Sequence, residues 1–90
     1  MLIQFEGTLL APGEHDYLRL ELTDAKLNDI LIPNTERKII KIKIKKYVDH
    51  WLKFAEENRG AICKGTCKRR QYFFKGVSGY AFDLIDIREV

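Results

Sequence analysis

Residues 37–46 read "RKIIKIKIKK", and from Ile40 to Lys45 isoleucine and lysine alternate without a break. A strict period of two is that of a β-strand with one buried and one solvated face. Ile40, Ile42 and Ile44 therefore point into a core, and Lys41, Lys43 and Lys45 form a row outside. Branched isoleucine suits a pleated surface, so propensity and pattern agree. The ammonium row has two explanations: protection of a strand edge against pairing, or attraction of a polyanion.

Upstream the same period recurs. Ile3 and Phe5 alternate with Gln4 and Glu6 in a first strand that reaches Gly7 and continues weakly to Leu10. "APGEHD" (11–16) is a turn punctuated by Pro and Gly. In "YLRLELT" (17–23), Leu18, Leu20 and Leu22 face inward and Tyr17, Arg19 and Glu21 outward. Residues 24–36 form a loop with an apolar patch at Leu27 and Ile30 to Ile32, a short extended piece before Pro33.

Downstream the period changes. In "YVDHWLKFAEENRG" (47–60), Val48, Trp51, Leu52 and Ala55 recur at i, i+3, i+4 and i+7, an amphipathic helix of about three turns. Gly60 is placed as its left-handed cap, and Trp51, inside the apolar stripe, reads as a core plug rather than a stacking platform. Residues 61–76 return to strand character and run out into a basic, aromatic loop, and "YAFDLIDIRE" (80–89) is a last strand. Three strands, a helix and two strands is the order of the OB-fold, a five-stranded Greek-key barrel closed by that helix. A ferredoxin-like fold needs a second helix, which the pattern does not supply.

Ninety residues with 46% hydrophobic and 32% charged side chains make one domain, residues 1–90, able to bury roughly 60% of its unfolded surface. The N-terminus "MLIQFEGT" has neither the basic flank nor the apolar run of a signal peptide, and no stretch reaches membrane-spanning length. A cytoplasmic location is the expectation. The net charge of +3 hides a segregation: residues 1–36 hold seven acidic and two basic side chains, whereas 37–46 and 64–75 hold eleven of the sixteen Lys/Arg and no acid. Such clustering is the footprint of a polyanionic partner.

Catalytic chemistry finds little footing. Cys63 and Cys67 sit four apart on one strand, with Cα atoms about 13 Å apart, beyond the roughly 7 Å limit of a disulfide. With His15 and His50 scattered elsewhere they make a poor zinc signature, and free buried thiols are the better reading. Ser78, in a Gly-flanked turn, has no matching base. Asp83, Asp86 and Glu89 read as solvated positions of the last strand rather than a metal group. No catalytic residue, metal or cofactor is expected. "CKRRQYFFKG" (67–76) is more telling, since it interleaves Lys68, Arg69, Arg70 and Lys75 with Tyr72, Phe73 and Phe74. Bases stack on exposed rings while cations hold the phosphates between them. Tyr72 is expected outside, whereas Phe73 and Phe74 either stack bases or pack on the barrel or a partner subunit.

"RGAICKGTCKRRQY" (59–72) resembles the fourth-strand segment of bacterial single-stranded-DNA-binding proteins, with Gly60, Gly65, Lys68, Arg70 and Tyr72 matching by type and spacing. The lysine strand, the helix and the opening "IQFEGTLLAPGE" are similar to that family in order and approximate length. The resemblance implies an OB-fold that takes single strands across the outer face of strands two and three and along the loop between strands four and five. It places Tyr72 as a base-stacking ring and Lys68 and Arg70 as phosphate contacts, with Lys41, Lys43, Lys45, Arg19, Tyr17, Phe74 and Lys75 completing the surface. It also implies a homodimer or higher oligomer and a role in DNA replication or recombination, with replication proteins as further partners. The family's acidic tail has no counterpart before Val90 and strand three lacks an outward aromatic. The likeness is therefore rather to a primosomal accessory, or to a viral or plasmid version.

Two other readings stand beside this one. One is an OB-fold interaction module whose basic face binds an acidic protein, as an assembly or inhibitor factor would. The other is an OB-fold nuclease built on the late acidic residues. Nothing in the sequence separates DNA from RNA.

Overall fold

The alternating stretches become strands where each buries its apolar set. The computed structural model describes residues 2–23 and 39–90. Its elements are β1 (Leu2–Leu9), β2 (Tyr17–Leu22), β3 (Ile39–Lys43), a helix α1 (Val48–Glu57), β4 (Ile62–Phe74) and β5 (Val77–Glu89). The strands close into a barrel in the order β1-β2-β3-β5-β4. All neighbours are antiparallel except β3 and β5, which run parallel. This is the five-stranded OB-fold that the element order predicts. The extended piece expected within 24–36 lies outside the described residues.

Period two fills the core. Leu18, Leu20, Ile40 and Ile42 are fully or almost fully buried from β2 and β3, Phe5 and Leu9 from β1, and Cys63 and Cys67 from β4. Both cysteines are free. Burial pushes the Cys67 thiol up to about 11, with the Asp83 carboxylate adding to the shift, and it raises Cys63 as well. Such thiols are inert packing groups at neutral pH. Gly65 is required by closeness: a Cβ there would lie 2.3 Å from the Asp86 carbonyl oxygen and 2.6 Å from the Phe5 ring.

The helix seals the barrel with Ala55 buried, while Val48, Trp51, Leu52 and Phe54 pack against the core only partly covered. Trp51 and Leu52 thus form the rim of the core rather than its interior. The cap also differs from expectation. α1 ends at Asn58, whose backbone N–H and side-chain amide both donate to the Phe54 carbonyl. Gly60 does adopt a left-handed φ of 88°, but its N–H donates to the Leu9 carbonyl, so it turns the chain back onto β1.

The largest departure concerns the residues up to 79 that lead into the last strand, expected to be loop and turn. Apart from a two-residue turn they are strand: from Cys67↔Leu84 onward β4 and β5 pair without interruption to Phe74↔Val77. Ser78 therefore lies in a strand, and β5 starts three residues before Tyr80. Lys75 and Gly76 make the two-residue turn, with φ of 48° and 78°, the type I′ geometry that matches the strand twist. A register shift opposite Thr66/Cys67 leaves Ile85 as an extra residue on β5. This bulge lets Leu84 and Ile87 both face the core and puts Ile85 outside at 51% exposure.

Candidate nucleic-acid interface

Because side chains alternate, the register fixes which cations share the outer face. Tyr17 is opposite Lys43 and Arg19 opposite Lys41 across β2 and β3. Lys43 adjoins Asp83 on β5, and Asp83 faces Lys68 on β4. Arg70 lies opposite Ala81, one step along. The result is one continuous surface across β2, β3, β5 and β4 that gathers Tyr17, Arg19, Lys41, Lys43, Lys68 and Arg70. Beyond the barrel wall the same face of the β4–β5 hairpin carries Tyr72 and Phe74, 42% and 64% exposed.

Individual side chains are held differently. Lys41, Lys68 and Arg70 are exposed. Lys43 is half-buried: its ammonium lies 4.9 Å from the centroid of the Tyr17 ring and donates to the His15 carbonyl. Its charge is therefore tied to the 11–16 turn, where His15 and Asp16 both have positive φ. The stem of Arg19 lies close over Gly13, where an added Cβ would be 2.9 Å from Cδ. Tyr72 lies over Gly79, its opposite number, where a Cβ would fall 2.7 Å from Oη and 2.8 Å from Cζ. Only a strand position without a side chain leaves room for that ring. Lys75, at the hairpin tip, is 5.4 Å from the Phe74 ring centroid.

Two of the expected positions need correction. Lys45 is not in the lysine row, because β3 ends at Lys43. With Lys46, Tyr47, Trp51 and Ile85 it lines a groove of about 480 Å³ between the start of α1 and β5, which meets the basic face at Lys68 and Asp83. Asp83 is not a solvated acid. Its side chain is 14% exposed, Arg70 Nε donates to its Oδ2 at 2.8 Å, and its buried Oδ1 has no hydrogen-bond partner. A carboxylate thus stands among Lys43, Lys68 and Arg70 at the middle of the basic face. Its position follows from barrel closure, and no local pattern signals it. Asp86 behaves otherwise, accepting the Thr66 N–H at 3.1 Å.

Among the described residues no group of three or more His, Cys, Asp or Glu side chains could hold a metal ion. None of their helices is long and apolar enough to cross a membrane.

No family model matches the chain, and no curated protein matches it. Among solved structures, its fold is similar to that of the mitochondrial single-stranded DNA-binding protein Rim1 from S. cerevisiae. The TM-score is 0.60 at 16% sequence identity, covering 99% of this chain and 91% of that one.

Proposed function

We propose that this chain is a non-catalytic single-stranded DNA-binding protein acting in replication or recombination. One observation carries the reading: cations from three strands, β2, β3 and β4, share a continuous face that runs into exposed rings on the hairpin. Phosphates along Arg19, Lys41, Lys68 and Arg70 and bases on Tyr72 and Phe74 are the chemistry such a surface fits. The fold shared with Rim1 adds support. In this reading residues 1–90 act as one domain in the cytoplasm, assembled as a homodimer or larger.

Titration against single-stranded DNA, duplex DNA and RNA of equal length tests it, with single-stranded DNA expected to bind tightest. Log affinity should fall against log salt by about 0.7 per phosphate neutralised, and Lys41→Ala should flatten that slope by up to about 0.7. Equal, weak binding of all three would reject the reading.

A second reading has its own observation. In the groove at the start of α1, three cations, Lys45, Lys46 and Lys68, outnumber the one carboxylate, Asp83, around an apolar floor of Trp51, Leu84 and Ile85, which suits an acidic peptide with an apolar side chain. Peptide binding that Lys46→Ala weakens while single-strand affinity stays at the parent's value would favour it.

A further inference from the structure

The β4–β5 hairpin has a second side. Register pairs Arg69 with Phe82, Gln71 with Tyr80 and Phe73 with Ser78, so these side chains alternate away from Arg70, Tyr72 and Phe74. On the barrel this is the core-facing side, carrying Cys67, Phe82 and Leu84. Beyond Phe82 nothing among the described residues covers it. Phe73 is 75% and Tyr80 53% exposed, and the Arg69 guanidinium lies 4.5 Å from the Tyr80 ring centroid. Large exposed rings on both sides of a two-stranded hairpin are costly for a soluble chain unless both sides meet something.

Charge selects what that is. The hairpin side chains that alternate to this side, Arg69, Gln71, Phe73, Ser78 and Tyr80, include one cation and no carboxylate. A second copy seated two-fold on this side would bring like patches together, Arg69 against Arg69. A polyanion meets no such repulsion. The two sides are also joined. β3 and β5 share only the Lys43↔Asp83 position, so among the described residues Val77–Phe82 has β4 on one edge and no strand on the other. Around that open edge runs a groove of about 440 Å³, lined by Tyr17, Lys41, Arg70 and Tyr72 from the front and Tyr80 and Phe82 from the reverse.

We infer that the reverse side of the hairpin, Arg69, Phe73 and Tyr80, is a second single-strand contact surface. One strand crosses the front face, turns over the open edge of β5 and wraps the hairpin. This rests on the proposed function and assigns residues outside the front face. Arg69 holds a phosphate from its place on the Tyr80 ring, and Phe73 and Tyr80 each offer a face to a base.

The test uses thymidine oligomers of roughly 5 and roughly 16 nucleotides, spanning the site sizes of OB-folds, followed by fluorescence anisotropy on the full chain. The doubly substituted Phe73→Ser, Tyr80→Ser variant should bind the shorter oligomer within about twofold of the parent and the longer one about tenfold more weakly. Arg69→Gln should flatten the salt slope, by up to about 0.7, for the longer oligomer alone. Tyr72→Ala should weaken both lengths. Variants that hold the longer oligomer like the parent overturn the inference, as does an equal loss on both lengths. A fall in oligomeric mass with long-strand affinity unchanged would assign the surface to a second copy and overturn it too. Should the parent bind neither oligomer, the proposed function itself falls; if only the reverse-side variants are silent, it stands.

Discussion

At Gly79 the absence of a side chain does work that belongs to Tyr72. Its backbone is ordinary strand, so alanine meets no conformational strain there, only the tyrosine ring at 2.7–3.0 Å. The ring is the movable partner and must lift off the strand. Gly79→Ala should therefore leave the melting temperature nearly unchanged while weakening single-strand binding about as much as Tyr72→Ala, by about 1–3 kcal/mol. In the double variant the two losses should not add, because both remove one platform. Additive losses would mean that the ring acts independently of the glycine. The pairing of the two residues comes from register, and the sequence shows only a glycine in a run of turn-forming residues. That is why Ser78 and Gly79 read as a turn: Gly76, Ser78 and Gly79 outweigh a strand pattern that exposed rings on both sides had already blurred.

Among the elements, the β4–β5 hairpin has a chemically mismatched turn. A type I′ turn needs left-handed φ at both central residues, which glycine meets freely and lysine does not. Lys75 holds φ 48° with a full side chain, whereas asparagine visits that region readily. Lys75→Asn should then raise stability by up to about 1 kcal/mol, read as a higher denaturant midpoint with an unchanged slope. The same change removes a cation from the tip, so the salt dependence of single-strand binding should flatten at the same time. Stability and binding moving together in the same direction would contradict this account. β3 shows the opposite kind of element. Its isoleucines are buried because alternation is a local property of the strand, and no neighbour had to be known. The strand is shorter than its pattern: Lys45 continues the alternation, but the chain leaves the sheet after Lys43 and turns at Tyr47, φ 56°, into the helix.

Over the whole molecule the basic face is a sum across four strands, with Asp83 at its centre. Arg70 spends its Nε on that carboxylate at 2.8 Å, so part of the face is neutralised from within. Asp83→Asn keeps the shape and an acceptor for Arg70 but removes the negative charge. It should tighten single-strand binding at low salt and steepen the salt slope by up to about 0.7, as one more phosphate can be neutralised. Unchanged binding would place Asp83 outside the field that the strand feels. The sequence by itself determined the order of strands and helix and the buried side chains of β1, β2 and β3, because hydrophobic period is set within a few residues. It also determined that two segments are strongly basic. Tertiary structure alone decided which of those cations stand together, since register and the parallel β3–β5 contact join residues forty positions apart, Lys43 and Asp83. It alone set an acid among them, moved Lys45 to another groove and extended the hairpin with rings on both sides. Each of these depends on which strands become neighbours, and alternation within one strand carries no information about the next.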